Sequence, residues 1–307
     1  MPTATATGTT PPQSSLRFGL VTPIVSLLPG TPEWEVNASP SDLKQIASAA
    51  DRFGFRYLTC SEHVGIPTAV AAARGPRFYD PLATLSFLAA ITERIRLLTH
   101  VVVLPYHHPL AIAKRYGTLD KLCGGRLTLG VGVGTLKEEF DLLGVDFEHR
   151  GERHEEALEA LRIALGAEKP VFHGQYFNFD DFIIDPRAEQ VRVPIWLGGR
   201  TPRSLRRALG FGEGWVPFGL SLDELRALLA KAREWPEWQG RAGKNQLPLE
   251  IALALDVPID VAGNLNAFQD RVNQTLDAGA TLVSLTVRAK SAAHYVEQLE
   301  ALSHVER

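Results

Sequence analysis

The chain has 307 residues, 45% hydrophobic and 22% charged, which is ordinary for a globular enzyme. A formal net charge of -3 leaves no basic footprint for nucleic acid or an anionic membrane. Two cysteines, Cys60 and Cys123, make no disulfide framework and suit a reducing compartment.

Residues 1–15 (MPTATATGTTPPQSS) are rich in Thr, Ala and Pro and read as a mobile tail, with residues 16–307 as one domain. The tail has no basic region followed by an apolar core, so a cytoplasmic location is expected. Residues 16–21 (LRFGLV) read as a first buried strand. A helix is predicted over 40–53, with Ser39 as cap, Pro40 at its first position, Asp42 at its positive end and Gly54 as stop. A strand at 57–61 and a helix at 81–91 follow. Residues 95–104 form a β-branched strand that ends at Pro105. The apolar stretch 82–104 is broken by Glu93, Arg94 and Arg96, so it is no membrane span. Next come a helix at 110–122, a strand at 126–131 and an amphipathic helix at about 150–165. The alternation of residues 171–186 around Gly174 predicts an inserted hairpin. Strands at 195–199, 215–218, 250–257 and 282–287 then alternate with helices at 202–209, 221–234, 265–278 and 291–302.

Eight strands, each followed by a helix, with near-continuous apolar character, predict a closed (β/α)8 TIM barrel, an α/β fold. An open doubly wound sheet is the alternative. Its glycine fingerprint is missing, because TPIVSLLPG follows the first strand.

A barrel of this kind builds its site where the strands end. Gly198, Gly199, Arg200 and Thr201 end the fifth strand and open a helix, a pattern that suits an anion. The bland alternative is a capped helix start with solvated arginines. Gly130, Gly132 and Gly134 end the fourth strand; three spaced glycines favour a flat ligand close to the backbone over a simple turn. Glu62 and His63 end the second strand, and neighbours on a strand point in opposite directions, so one of them faces the site. His100 is a polar residue in an apolar strand. His107 and His108 have no third ligand at a matching spacing, and no metal is expected.

The segments TERIRLLT, LPYHHPLAIAK, LDKLCGGRLTLGVGVG and PIWLGGRTPRSLRRALGFGEGW together resemble the luciferase-like flavin and deazaflavin oxidoreductases over residues 16–303. The likeness is greatest to the branch that uses the deazaflavin coenzyme F420; users of flavin mononucleotide (FMN) on the same fold are the near alternative. The resemblance implies a ring in the barrel mouth and a phosphate at Gly198, Gly199, Arg200 and Thr201. It also implies a cis peptide between His100 and Val101, although the family usually has a small residue where His100 stands. Glu62 would bond the ring edge and His63 would move a proton. Val133, Gly134 and Glu138 would line the ribityl chain and ring. Sugar-phosphate dehydrogenases of the family carry a Glu at the position of Thr135, so that substrate is disfavoured. Phe18, Tyr106 and Trp215 are candidates to wall the substrate side. A homodimer is implied through the second and third helices, whose apolar positions (Leu82, Leu85, Leu88, Ile91; Leu110, Ala113, Leu119) equally suit packing on the barrel. The expectation is an F420-dependent oxidoreductase acting on a small organic molecule. The alternatives are an FMN monooxygenase, a hydrolase using Glu62 and Glu138, or a cofactor carrier.

Overall fold

A computed structural model describes residues 17–243, 248–255, 259–260 and 265–305. The expected tail, residues 1–15, lies outside the described residues. Eight parallel strands form the barrel: β1 (Phe18–Leu20), β2 (Tyr57–Cys60), β3 (Arg96–Thr99), β4 (Leu127–Gly132), β5 (Ile195–Gly198), β6 (Gly214–Val216), β7 (Glu250–Ala254) and β8 (Leu282–Leu285). Each pairs with the next. β8 returns to β1 through Phe18↔Val283, and β4 meets β5 through Ile195↔Leu129, so the sheet is closed.

The helices around it are α1 (Pro40–Phe53), α2 (Pro81–Ile91), α3 (Pro109–Leu122), α4 (Arg150–Gly166), α5 (Pro202–Phe211), α6 (Leu222–Ala232), α7 (Leu265–Asp277) and α8 (Ala292–Ser303). Local signals set several of their ends. Ser39 and Asp42 form a reciprocal capping box on α1, and Gly54 ends it in the left-handed region at φ 83°. Ser221 and Glu224 cap α6 in the same way. No helix among the described residues is long and apolar enough to cross a membrane.

Side chains alternate across the barrel wall. Tyr57, Leu98, Trp196, Val216, Ala252 and Leu282 fill the interior together with Val101. The Tyr57 hydroxyl lies 2.5 Å from Ser284 Oγ. The Tyr57 ring occupies the space where a Cβ on residue 19 would be, 2.0 Å away, so this position requires glycine. The other side of each strand packs on the helices.

That alternation corrects two expectations. Phe18 and Trp215 are fully buried and do not wall a substrate. Phe18 faces outward to Phe268 of α7, with ring centroids 5.8 Å apart, and Trp215 Nε1 donates to Ser204 Oγ of α5 at 3.3 Å. Their neighbours Gly19 and Gly214 are the residues that face Tyr57 and Trp196 inside the barrel. Leu85 and Leu88, on the α2 face considered for a dimer, are also fully buried within the chain.

Two further differences bear on the site. The third strand does not run unbroken over 95–104. It stops at Thr99, resumes as Val102–Val103 beside β4, and turns into a 3-10 helix at Leu104–Tyr106. The segment after β4 holds a further helix, Lys137–Leu143, which strand-helix alternation does not foretell. Between α4 and β5, Phe172–His173 pairs antiparallel with Asn178–Phe179. Phe177 and Phe179 pack on the ring of His108 at the start of α3, 5.5 and 5.9 Å away.

Candidate active site

At the carboxyl end of β3 the peptide between His100 and Val101 is cis, where the resemblance implies it. Neighbouring β2 anchors this break. The His100 N–H donates to the Cys60 carbonyl at 2.8 Å, and its carbonyl accepts from Ser61 Oγ at 2.8 Å. The Glu62 N–H donates to the Val101 carbonyl at 3.3 Å.

The Glu62 carboxylate accepts from the Val103 N–H at 2.6 Å, and His107 Nε2 lies 2.8 Å from its other oxygen. With its side chain 10% exposed, Glu62 fastens the segment after the cis bond to β2. The His100 ring has no protein partner among the described residues. Burial lowers its pKa to about 4, so it is a neutral imidazole at neutral pH.

Val101 turns into the barrel and forms a platform with two glycines. A Cβ on Gly132 would lie 2.6 Å from Val101 Cγ2, and one on Gly198 would lie 3.1 Å from Val101 Cγ1. Gly134 has φ +83°, and a Cβ there would meet Val103 at 2.6 Å and Phe140 at 2.7 Å. Backbone therefore lines this part of the mouth, and any side chain larger than hydrogen would displace Val101 or Phe140.

His63 follows Glu62, whose N–H reaches the Val101 carbonyl of this platform. Its Nδ1 is 2.9 Å from Glu139 Oε2, and its ring packs on Phe78 with centroids 4.4 Å apart. The Tyr106 hydroxyl donates to the same oxygen at 3.2 Å. Glu139 Oε1 accepts from the Val64 N–H at 2.6 Å and the Gly65 N–H at 3.3 Å. The Glu139 side chain is only 2% exposed. Burial works against its ionisation, but the His63 hydrogen bond and charge and the amides of Gly65 and Val64 outweigh that and hold the carboxyl below its ordinary value. Burial, then the charge of Glu139, raise the Tyr106 pKa, so the phenol keeps its proton. His63 Nε2 has no partner among the described residues.

The resemblance implies Glu138 beside the ribityl chain and ring; Glu138 is exposed, and its neighbour Glu139 is the carboxylate that meets His63. The helix explains this. Glu139 falls three residues after the buried Leu136 and lies on the same side of the helix, about 100° round from the exposed Glu138. That periodicity was a usable signal for Glu139. The pairing of Glu62 with His107 had none.

Next to β4, β5 runs through Gly198 and Gly199 into α5. Thr201 and Ser204 cap α5 reciprocally: the Ser204 N–H donates to Thr201 Oγ1 at 3.3 Å and the Thr201 N–H to Ser204 Oγ at 3.1 Å. Gly199, at φ +141°, leaves room for Ser204, which a Cβ would strike at 2.5 Å. Arg200 is exposed, with its guanidinium 5.9 Å from the Phe218 ring centroid. Val133 and Gly134, which follow β4, are half-buried.

The chain is a closed (β/α)8 barrel with a glycine-lined platform and the His63–Glu139 pair at the carboxyl ends of its strands. The luciferase-like monooxygenase family model matches residues 16–305, and the chain belongs to that family. An uncharacterized protein of Mycobacterium tuberculosis is 30% identical over 83% of this chain and 91% of its own length. An F420-dependent glucose-6-phosphate dehydrogenase of Microbacterium testaceum is 31% identical over 58% of this chain and 52% of its own. Two solved structures share the fold. The monooxygenase RslO1 of Streptomyces bottropensis has a TM-score of 0.71 at 19% identity, covering 94% of this chain and 98% of its own. The coenzyme F420-dependent tetrahydromethanopterin reductase of Methanopyrus kandleri has a TM-score of 0.70 at 18% identity, covering 93% and 98%.

Proposed function

We propose that this protein transfers a hydride between the deazaflavin coenzyme F420 and a small organic substrate. The observation that carries this reading is His63, held at Nδ1 and without a protein partner at Nε2 among the described residues, next in sequence to Glu62, which bonds the platform of Val101, Gly132 and Gly198. The residues fit the cofactor class: a flat ring needs backbone at close approach, and Gly132, Gly134 and Gly198 provide it. When bound, the deazaflavin supplies a ring carbon that gives or takes a hydride.

The chain's own residues supply the rest. Gly198, Gly199, Arg200 and Thr201 hold the phosphate at the start of α5, where the helix dipole favours negative charge. Glu62 keeps the Val101 platform in place through the Val103 amide. His63 exchanges the proton that accompanies the hydride, at Nε2. Thr135 stands where the family's sugar-phosphate dehydrogenases carry a glutamate, so the substrate differs from that of the Microbacterium relative.

A second reading, an FMN-dependent monooxygenase using reduced flavin and oxygen, draws on the likeness to RslO1. Titration of the purified protein with F420 and with FMN, followed by fluorescence, decides between them. Micromolar or tighter binding of F420 alone supports the hydride-transfer reading. Preference for FMN replaces it with oxygen chemistry. Binding of neither refutes both and returns the search to cofactor-free hydrolysis.

A further inference from the structure

We propose that Glu139 is a positioning residue that fixes the tautomer of His63, so that in the neutral ring Nδ1 carries the proton and Nε2 is a proton acceptor. The role of His63 in catalysis rests on the function proposed above; the tautomer itself does not.

The argument is a count of donors and acceptors. An ionised carboxylate offers about four acceptor positions and no donor. Around Glu139 there are four neighbours at hydrogen-bonding distance: the Val64 and Gly65 amides on Oε1, and the Tyr106 hydroxyl and His63 Nδ1 on Oε2. Two of these are backbone N–H groups and can only donate. The Tyr106 phenol keeps its proton and is aimed at the carboxylate. Only the side facing His63 Nδ1 could take a proton on Glu139 without setting it against a donor, and a proton shared there rests on the imidazole, which is the more basic of the two groups. Glu139 is therefore an anion, and His63 Nδ1 must bring the hydrogen.

A neutral imidazole has one N–H, so placing it on Nδ1 leaves the lone pair on Nε2. Phe78 lies against the imidazole, with ring centroids 4.4 Å apart and planes tilted by 59°. Four donors on one buried carboxylate also explain where Glu139 sits. It ties the loop after β2 (residues 63–65), the 3-10 helix at Tyr106 and the helix Lys137–Leu143 into one unit, and the last of these follows directly on the glycine run of β4. The residue that orients His63 thus belongs to the segment that shapes the platform.

Two-bond 1H–15N correlation spectra of the 15N-labelled protein, recorded without cofactor at alkaline pH, read the tautomer directly. The His63 signal is assigned by its loss in His63→Asn. The expected wild-type pattern is an Nδ1 of the N–H type and an Nε2 of the lone-pair type. In Glu139→Gln the amide oxygen is retained by the Val64 and Gly65 N–H groups, so the NH2 group faces His63. Nδ1 then becomes an acceptor and the tautomer ratio inverts, by about tenfold or more. With a substrate in hand, the same variant loses kcat at unchanged cofactor affinity.

A wild-type His63 that carries its proton mainly on Nε2 overturns the proposal. So does a tautomer ratio that stays the same in Glu139→Gln. If Glu139→Gln does not fold, the wild-type spectrum alone still decides. A failed F420 titration with the expected tautomer would remove the F420 reading and leave the Glu139 assignment standing.

Discussion

Gly132→Ala tests the platform without knowledge of the substrate or of which ring it holds. The added Cβ lies 2.6 Å from Val101 Cγ2, closer than side-chain carbons pack. Val101 cannot swing away freely, because its branched Cβ leaves χ1 stiff and it packs on the interior cluster of Tyr57, Leu98 and Trp196. Gly132 is not in the positive-φ region, so alanine's backbone preference adds no penalty there. The cost is overpacking, about 1–3 kcal/mol. At about 2–4 °C per kcal/mol for large domains, Tm falls by roughly 2–12 °C.

The displaced Val101 also roughens the surface that meets the ring, so cofactor affinity falls by about tenfold or more, or about 1.4 kcal/mol. The same substitution made on Val101→Ala should cost under about 0.5 kcal/mol, because the opposing methyl is gone; the coupling isolates the contact. Gly198→Ala, with a 3.1 Å approach, should be milder than Gly132→Ala. Thermal melts and fluorescence titrations of the four variants measure both effects. A Gly132→Ala protein with wild-type Tm and wild-type affinity refutes the platform, and equal costs in the two backgrounds refute Val101 as its cause.

Thr201→Glu should weaken cofactor binding by setting a carboxylate against the phosphate at the start of α5. Thr201→Ala, which loses the cap at about 1 kcal/mol, serves as the stability control, and equal affinity in both variants sinks the phosphate assignment. His63→Ala should lower turnover about 10²–10⁴-fold, the usual worth of a positioned acid-base group, with cofactor affinity nearly unchanged; intact turnover removes the proton-transfer role. Acid stability should depend on Glu213. Burial opposes its ionisation, but the charge of Arg162, the Ile195 amide and the hydrogen bonds from Arg162 and Arg192 hold its pKa below 4.5. A carboxyl depressed on folding stabilises the native state above its unfolded pKa and loses that contribution as pH falls through its folded value. Denaturant midpoints measured from pH 6 downward should therefore fall less steeply in Glu213→Gln than in wild type, and parallel profiles would refute the claim.

Much of the architecture is legible in local chemistry. Ser39, Pro40 and Gly54 bracket α1 because capping and left-handed termination act over one turn, and each strand reads as apolar because both its faces are covered. The motifs around His100, Gly198 and Thr201 are likewise continuous in sequence, so the cis bond and the capped start of α5 stand where the resemblance implies. Contacts set by closure of the barrel are not legible in this way. Whether Phe18 and Trp215 face the mouth or the helices depends on the register of each strand against its neighbours, and closure turned both outward.

The site divides along the same line. The sequence by itself determined the barrel, the residues at its strand ends and the glycines among them. A helical turn of about 100° per residue separates the buried Glu139 from the exposed Glu138, but only the tertiary structure showed that this segment is a helix. Only it paired His63 with Glu139, 76 residues apart, and Glu62 with His107, 45 apart. Such pairs form where strand ends and loops converge in space. Each donor needs an acceptor there, and nothing in the local sequence says which residue will supply it.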